Sequence, residues 1–105
     1  MRKKPEKNME IKVQAIHFDA SEKLVDFINR KAERLARRFV NVIEMDFNLR
    51  VVKPETAMNK EVVMRVVSPH EEDMVATKVA DTFEEAVDLA IEAVDRQLEK
   101  KKDRK

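Results

Sequence analysis

Asp81-Thr-Phe-Glu-Glu-Ala-Val-Asp-Leu-Ala-Ile-Glu-Ala-Val-Asp-Arg-Gln-Leu-Glu-Lys-Lys-Lys-Asp-Arg-Lys105 reads as one long amphipathic helix. Asp81 or Thr82 supplies an oxygen for the free amides of the first turn, with Glu84 or Glu85 replying from three residues on. Phe83, Val87, Ala90, Ile91, Val94 and Leu98 recur at helical spacing and form one apolar stripe. Acids dominate its first half (Glu84, Glu85, Asp88, Glu92) and cations its end (Arg96, Lys100, Lys101, Lys102, Arg104, Lys105). The helix dipole favours that order. Six cations in so short a segment exceed what a dipole requires.

A stripe of this kind needs an apolar surface to cover, and the preceding sequence supplies one. Residues 42–52 are the clearest strand: Ile43, Met45, Phe47, Leu49 and Val51 alternate with Glu44, Asp46, Asn48 and Arg50. One face is therefore buried and the other wet. Residues 61–67 repeat the pattern with Val62, Met64 and Val66, and residues 73–80 more weakly with Met74, Ala76 and Ala80. Between them lie a loop at 53–60, where Pro54 ends the strand, and a polar turn at 68–72. Upstream, residues 10–18 alternate as a first strand through Ile11, Val13 and Ala15. Asp19-Ala20-Ser21 then caps a helix running to about Arg38, whose Leu24, Phe27, Ile28, Ala32, Leu35 and Phe39 face the core.

The predicted order is β-α-β-β-β-α. A helix between the first two strands implies a parallel pair joined by a right-handed crossover. Short links among the last three strands imply an antiparallel meander. Both helices must bury their stripes on the same sheet, which predicts an α+β two-layer sandwich: a four-stranded mixed sheet, both helices on one face, the other face polar. Residues 9–105 form the single domain. Residues 1–8 are polar, basic and aperiodic, as expected of a disordered arm, and Met9 is a second possible start.

Composition excludes several function classes. No segment approaches the length of a membrane span, and the N-terminal charges precede no apolar core of a secretory signal. Cysteine is absent, so there are no disulfides or thiolate metal sites. Glycine is absent, which argues against phosphate-cradling loops and dinucleotide fingerprints. His17 beside Asp19 lacks a nucleophile at triad spacing, and His70 with Glu71, Glu72 and Asp73 is one imidazole in a carboxylate turn. No catalytic residue, metal or cofactor is expected. The six methionines read as core or loop fillers.

The net charge of +1 conceals segregation. Residues 1–8 carry four Lys/Arg against one acid; residues 20–39 and 93–105 each carry six against three. The remainder carries six against fourteen. Clustered cations on an acidic body are the electrostatic footprint of a polyanion binder. At about 100° per residue, the first helix places Lys23, Arg30, Lys31, Arg34, Arg37 and Arg38 at roughly 220–340° from Leu24, with Glu22, Asp26 and Glu33 behind them. In the last helix Arg96, Lys100 and Arg104 fall at roughly 220–300° from Phe83, and the cations of the two neighbouring helices are expected to merge into one continuous positive surface. An ordinary solvated face is the competing explanation for each stripe. With no Tyr or Trp and the Phe residues mostly in predicted core positions, base stacking is disfavoured and backbone contact to structured RNA favoured.

The residues of the last helix, an acid followed two positions on by an aromatic (Asp81, Phe83), then Asp95-Arg96-Gln97-Leu98 and the lysines at 100–102, resemble the ribosome hibernation promoting factor family. Further likeness lies in Lys31-Ala-Glu-Arg34-Leu-Ala-Arg37-Arg38 and Val75-Ala-Thr-Lys78, and it spans about residues 9–102. The resemblance implies a non-enzymatic, cytoplasmic protein that binds the small ribosomal subunit in stress or stationary phase. It would occupy the channel for messenger and transfer RNA and inhibit translation. By the same resemblance Lys31, Arg34, Arg37, Lys78, Arg96 and Lys100 contact ribosomal RNA phosphates, with Arg38, Lys101 and Lys102 as neighbours. Ala93 stands where some relatives have lysine. The C-terminal dimerisation domain of long-form relatives is not present in this sequence, so pairing of ribosomes by that route is not expected, and the free chain is expected to be monomeric. A competing function, from the residues alone, is a protein–protein module that dimerises through its exposed sheet or an edge strand.

Overall fold

The computed structural model describes residues 9–53 and 55–103, without the side chains of 102 and 103. The predicted basic arm at 1–8 lies outside the described residues, as do Arg104, Lys105 and the side chain of Lys102. The elements are β1 (Glu10–Ala15), α1 (Glu22–Arg38), β2 (Glu44–Val51), β3 (Lys60–Val67), β4 (Met74–Ala80) and α2 (Phe83–Asp103). They form one sheet in the order β1-β2-β3-β4. β1 pairs parallel with β2, and the β2–β3 and β3–β4 pairs are antiparallel. The predicted α+β architecture is the observed one.

Alternation along each strand sorts the sheet into two faces. Met45, Phe47 and Leu49 lie opposite Val66, Met64 and Val62, and all six are fully or almost fully buried. Ile11, Val13 and Ala15 extend this face on β1, and Ala76 and Ala80 on β4. Leu24, Ile28, Ala32 and Leu35 of α1 and Phe83, Val87, Ala90, Val94 and Leu98 of α2 close over it. The core is thus a single layer between helices and sheet. Ile43 and Val51, expected on the buried face, are 44% and 39% exposed, because they sit where β2 runs past the helical cover.

The ends of the elements have local causes. β1 stops at Ala15, three residues short of expectation, because His17 takes φ 67° and turns the chain. Phe18 just beyond stacks on Phe83 with ring centroids 5.2 Å apart, tying the start of α1 to the start of α2. Ser21 caps α1 by accepting a hydrogen bond from the Leu24 amide. At α2 the expected choice between two caps resolves to Thr82, whose hydroxyl accepts from the Glu85 amide. Asp81 instead accepts the Met58 amide at 2.8 Å and secures the β2–β3 loop.

The uncovered face is only partly the polar face expected: β1, β2 and Arg65 carry a ladder of charges, while Val63, Val67, Val75 and Val79 of β3 and β4 form an apolar strip beside it, Val75 being 52% exposed. Arg65 on β3 donates to Asp46 at 2.7 Å and to Asp73 at 2.9 Å, while Lys12 on β1 reaches Glu44 at 3.4 Å. Partial burial alone would raise the Asp46 pKa, but the Arg65 guanidinium hydrogen-bonded to it outweighs this and holds the carboxyl below its usual range. Glu44 and then Glu10 raise the Lys12 pKa.

Candidate nucleic-acid interface

The two helices run parallel. β4 is antiparallel to β3, which is antiparallel to β2, so β4 points along β1, and each helix returns from the same end of the sheet. Parallel neighbours keep their rows in step. Lys31 Nζ lies 3.0 Å from Asp88, and two turns on Arg38 meets Asp95, each pair separated by the same 57 residues. Arg38 forks: Nη1 donates to Asp95 and Nη2 to Glu99, both at 2.6 Å. Its guanidinium also stands over the Phe39 ring at 5.0 Å, and Lys31 over Phe27 at 5.4 Å.

This geometry corrects one expectation. The cations of the two helices do not merge into one continuous positive surface. The flank of α2 that faces α1 carries Asp88, Asp95 and Glu99, at roughly 120–160° from Phe83, with Glu92 next at about 180°. Arg96 and Lys100 sit farther round, at roughly 220–260° from Phe83, beyond the carboxylates but lining one surface cavity with Arg38. A row of carboxylates therefore separates two rows of cations. Its residues were in view in the sequence, but which flank of α2 would meet α1 depended on helix placement.

The named cations divide accordingly. Lys31 and Arg38 are engaged with α2 carboxylates. Arg96, 75% exposed, makes only a 3.8 Å contact with Glu92 one turn back. Lys101 donates to Glu71 at 2.7 Å, pinning the end of α2 to the β3–β4 turn. Arg34, Arg37, Lys78 and Lys100 have no ion-pair partner among the described residues. Arg34 and Arg37 are exposed on α1 and Lys100 on α2. Lys78 is half-buried on edge strand β4, opposite Val62, on the helix-bearing face. Its stem can lie along apolar surface while the ammonium reaches water beside α2.

The remaining candidate chemistry is dispersed. His17 and His70 are both exposed in turns, and among the described residues no group of three or more His, Cys, Asp or Glu could hold a metal ion. No described helix is long and apolar enough to cross a membrane.

Fold and site together define a two-layer α+β protein with a charged two-helix face. The chain belongs to the family described as Sigma 54 modulation protein / S30EA ribosomal protein, which matches it over residues 11–105. That is the membership to which the resemblance of the last helix points. Among solved structures, a ribosomal subunit interface protein from Coxiella burnetii superposes with a TM-score of 0.79 at 22% identity, covering 90% of this chain and 98% of that one. The N-terminal domain of Thermus thermophilus Protein Y superposes with a TM-score of 0.73 at 16% identity, covering 88% and 98%. At these identities the likeness is one of fold. No curated protein sequence matches the chain.

Proposed function

We propose that this chain is a non-enzymatic ribosome hibernation factor that binds the small ribosomal subunit in the cytoplasm. Its helical face contacts ribosomal RNA phosphates, and its body blocks the messenger and transfer RNA channel, inhibiting translation in stress or stationary phase. The observation that carries this reading is the family match across residues 11–105. The cations that make no close ion pair among the described residues supply the physical means. Arg34 and Arg37 on α1, and Arg96, Lys100 and Lys78 around α2, can exchange water for phosphate oxygens with release of counterions. Lys31, Arg38 and Lys101 would first have to leave a carboxylate, so their contribution is smaller.

The test is cosedimentation of the purified protein with ribosomes on sucrose gradients. The wild type is expected in the small-subunit fractions. Arg34→Glu with Arg96→Glu should keep the fold, since both side chains are exposed, and lower binding by at least ~10-fold through two reversed phosphate contacts. Undiminished cosedimentation of that double variant rules out the proposed surface.

A further inference from the structure

We infer that the carboxylate row on α2 is a specificity element: it withholds Lys31 and Arg38 from phosphate and so suppresses binding to flexible, unstructured polyanions. This deepens the proposed function and rests on it for the identity of the preferred partner. The geometry carries the inference. Asp88 takes Lys31 at 3.0 Å, while Asp95 and Glu99 take both arms of the Arg38 fork at 2.6 Å. Because the helices are parallel and in register, the Arg38 pair repeats the Lys31 pair two turns on.

The consequence is a surface with two cationic tracks and a repulsive rail between them. A flexible single strand, free to lie anywhere, cannot gather the cations of both tracks without passing over the carboxylates. A rigid RNA fold can place one phosphate backbone on each side, since shape and backbone spacing are what structured RNA offers a protein. An ordinary seam of exposed ion pairs adds little to stability. Stability alone therefore does not call for so regular an arrangement, and neutralising the row should leave the fold standing.

The experiment measures binding of poly(U) by fluorescence anisotropy across a salt series, with thermal melts as a check on folding. The variants are Asp88→Asn, Glu99→Gln, their double, and Glu33→Gln. The last removes the same charge from the rear of α1, outside the seam. Each cation released to phosphate should steepen the log–log salt slope by about 0.7 and raise affinity roughly fivefold near 0.1 M salt. Asp88→Asn and the double are expected to show this, and Glu33→Gln less than a twofold change. If Asp88→Asn and the double bind poly(U) no better than Glu33→Gln, with melts intact, the inference is overturned; Glu99→Gln alone leaves Arg38 on Asp95 and should change little. The wild type run in parallel against purified small subunits tests the underlying reading separately. A protein that fails to bind subunits sinks the proposed function, while the poly(U) comparison still decides the role of the rail.

Discussion

Among the described residues four non-glycine positions, His17, Lys53, Met58 and His70, turn through positive φ in a chain that has no glycine at all. Each holds a conformation that costs an L-residue roughly 1–2 kcal/mol. At His70, φ 65° in the exposed β3–β4 turn, His70→Gly should relieve that strain against a glycine entropy cost of about 0.5–1 kcal/mol. The expected outcome is a gain of up to ~1 kcal/mol in chemical denaturation. The cap residues separate just as cleanly. Thr82→Ala removes the acceptor for the Glu85 amide and should cost about 1 kcal/mol. Asp81→Ala leaves that cap in place but frees the Met58 amide, so hydrogen exchange at Met58 should accelerate while α2 stays protected. The sequence names Asp81 and Thr82 together as cap candidates. It could not divide the work, because the Asp81 partner lies 23 residues away on another loop.

Among the elements, β2 carries the most. Its buried face places Phe47, fully inaccessible, under the helices, and its open face places Asp46 in the ladder with Arg65. Phe47→Ala should cost about 3–5 kcal/mol, measured by urea denaturation, since the cavity would lie where helix and sheet layers meet. Asp46 governs a pH dependence. Its folded pKa lies below the unfolded value, so the native state binds fewer protons. Its stabilisation is complete above an unfolded carboxyl pKa of about 4 and is lost as pH falls through the lower, folded value. Lys12, raised by Glu44, acts with the opposite sign at the alkaline end. Asp46→Asn should therefore be less stable than wild type near neutrality, the gap closing below about pH 4 in acid denaturation curves. A gap independent of pH would place the effect in packing rather than charge. The strand pattern of β2 was readable because alternation at period two reports burial directly. The exposure of Ile43, just before β2, and of Val51 at its end was not, because coverage by the helices is a property of neighbouring elements.

At the scale of the whole molecule, the two helices and their carboxylate seam set how charge is presented. If the proposed function holds, small-subunit binding should weaken linearly on a log–log salt plot. The slope should count about four or five phosphate contacts, reflecting Arg34, Arg37, Lys78, Arg96 and Lys100 rather than all nine cations named from sequence. A slope near zero would point to a binding mode that does not rest on phosphates. The sequence by itself determined the element order, the sheet's two faces and the kinship, because apolar periodicity and the Asp95-Arg96-Gln97-Leu98 stretch are local facts that survive without coordinates. It also identified the cations. Only the tertiary structure decided which of them are engaged. Parallel packing of α1 and α2 brings Asp88 to Lys31 and Asp95 with Glu99 to Arg38. An ion pair depends on the distance between two helices far apart in the chain, and no helical wheel of either one contains that distance.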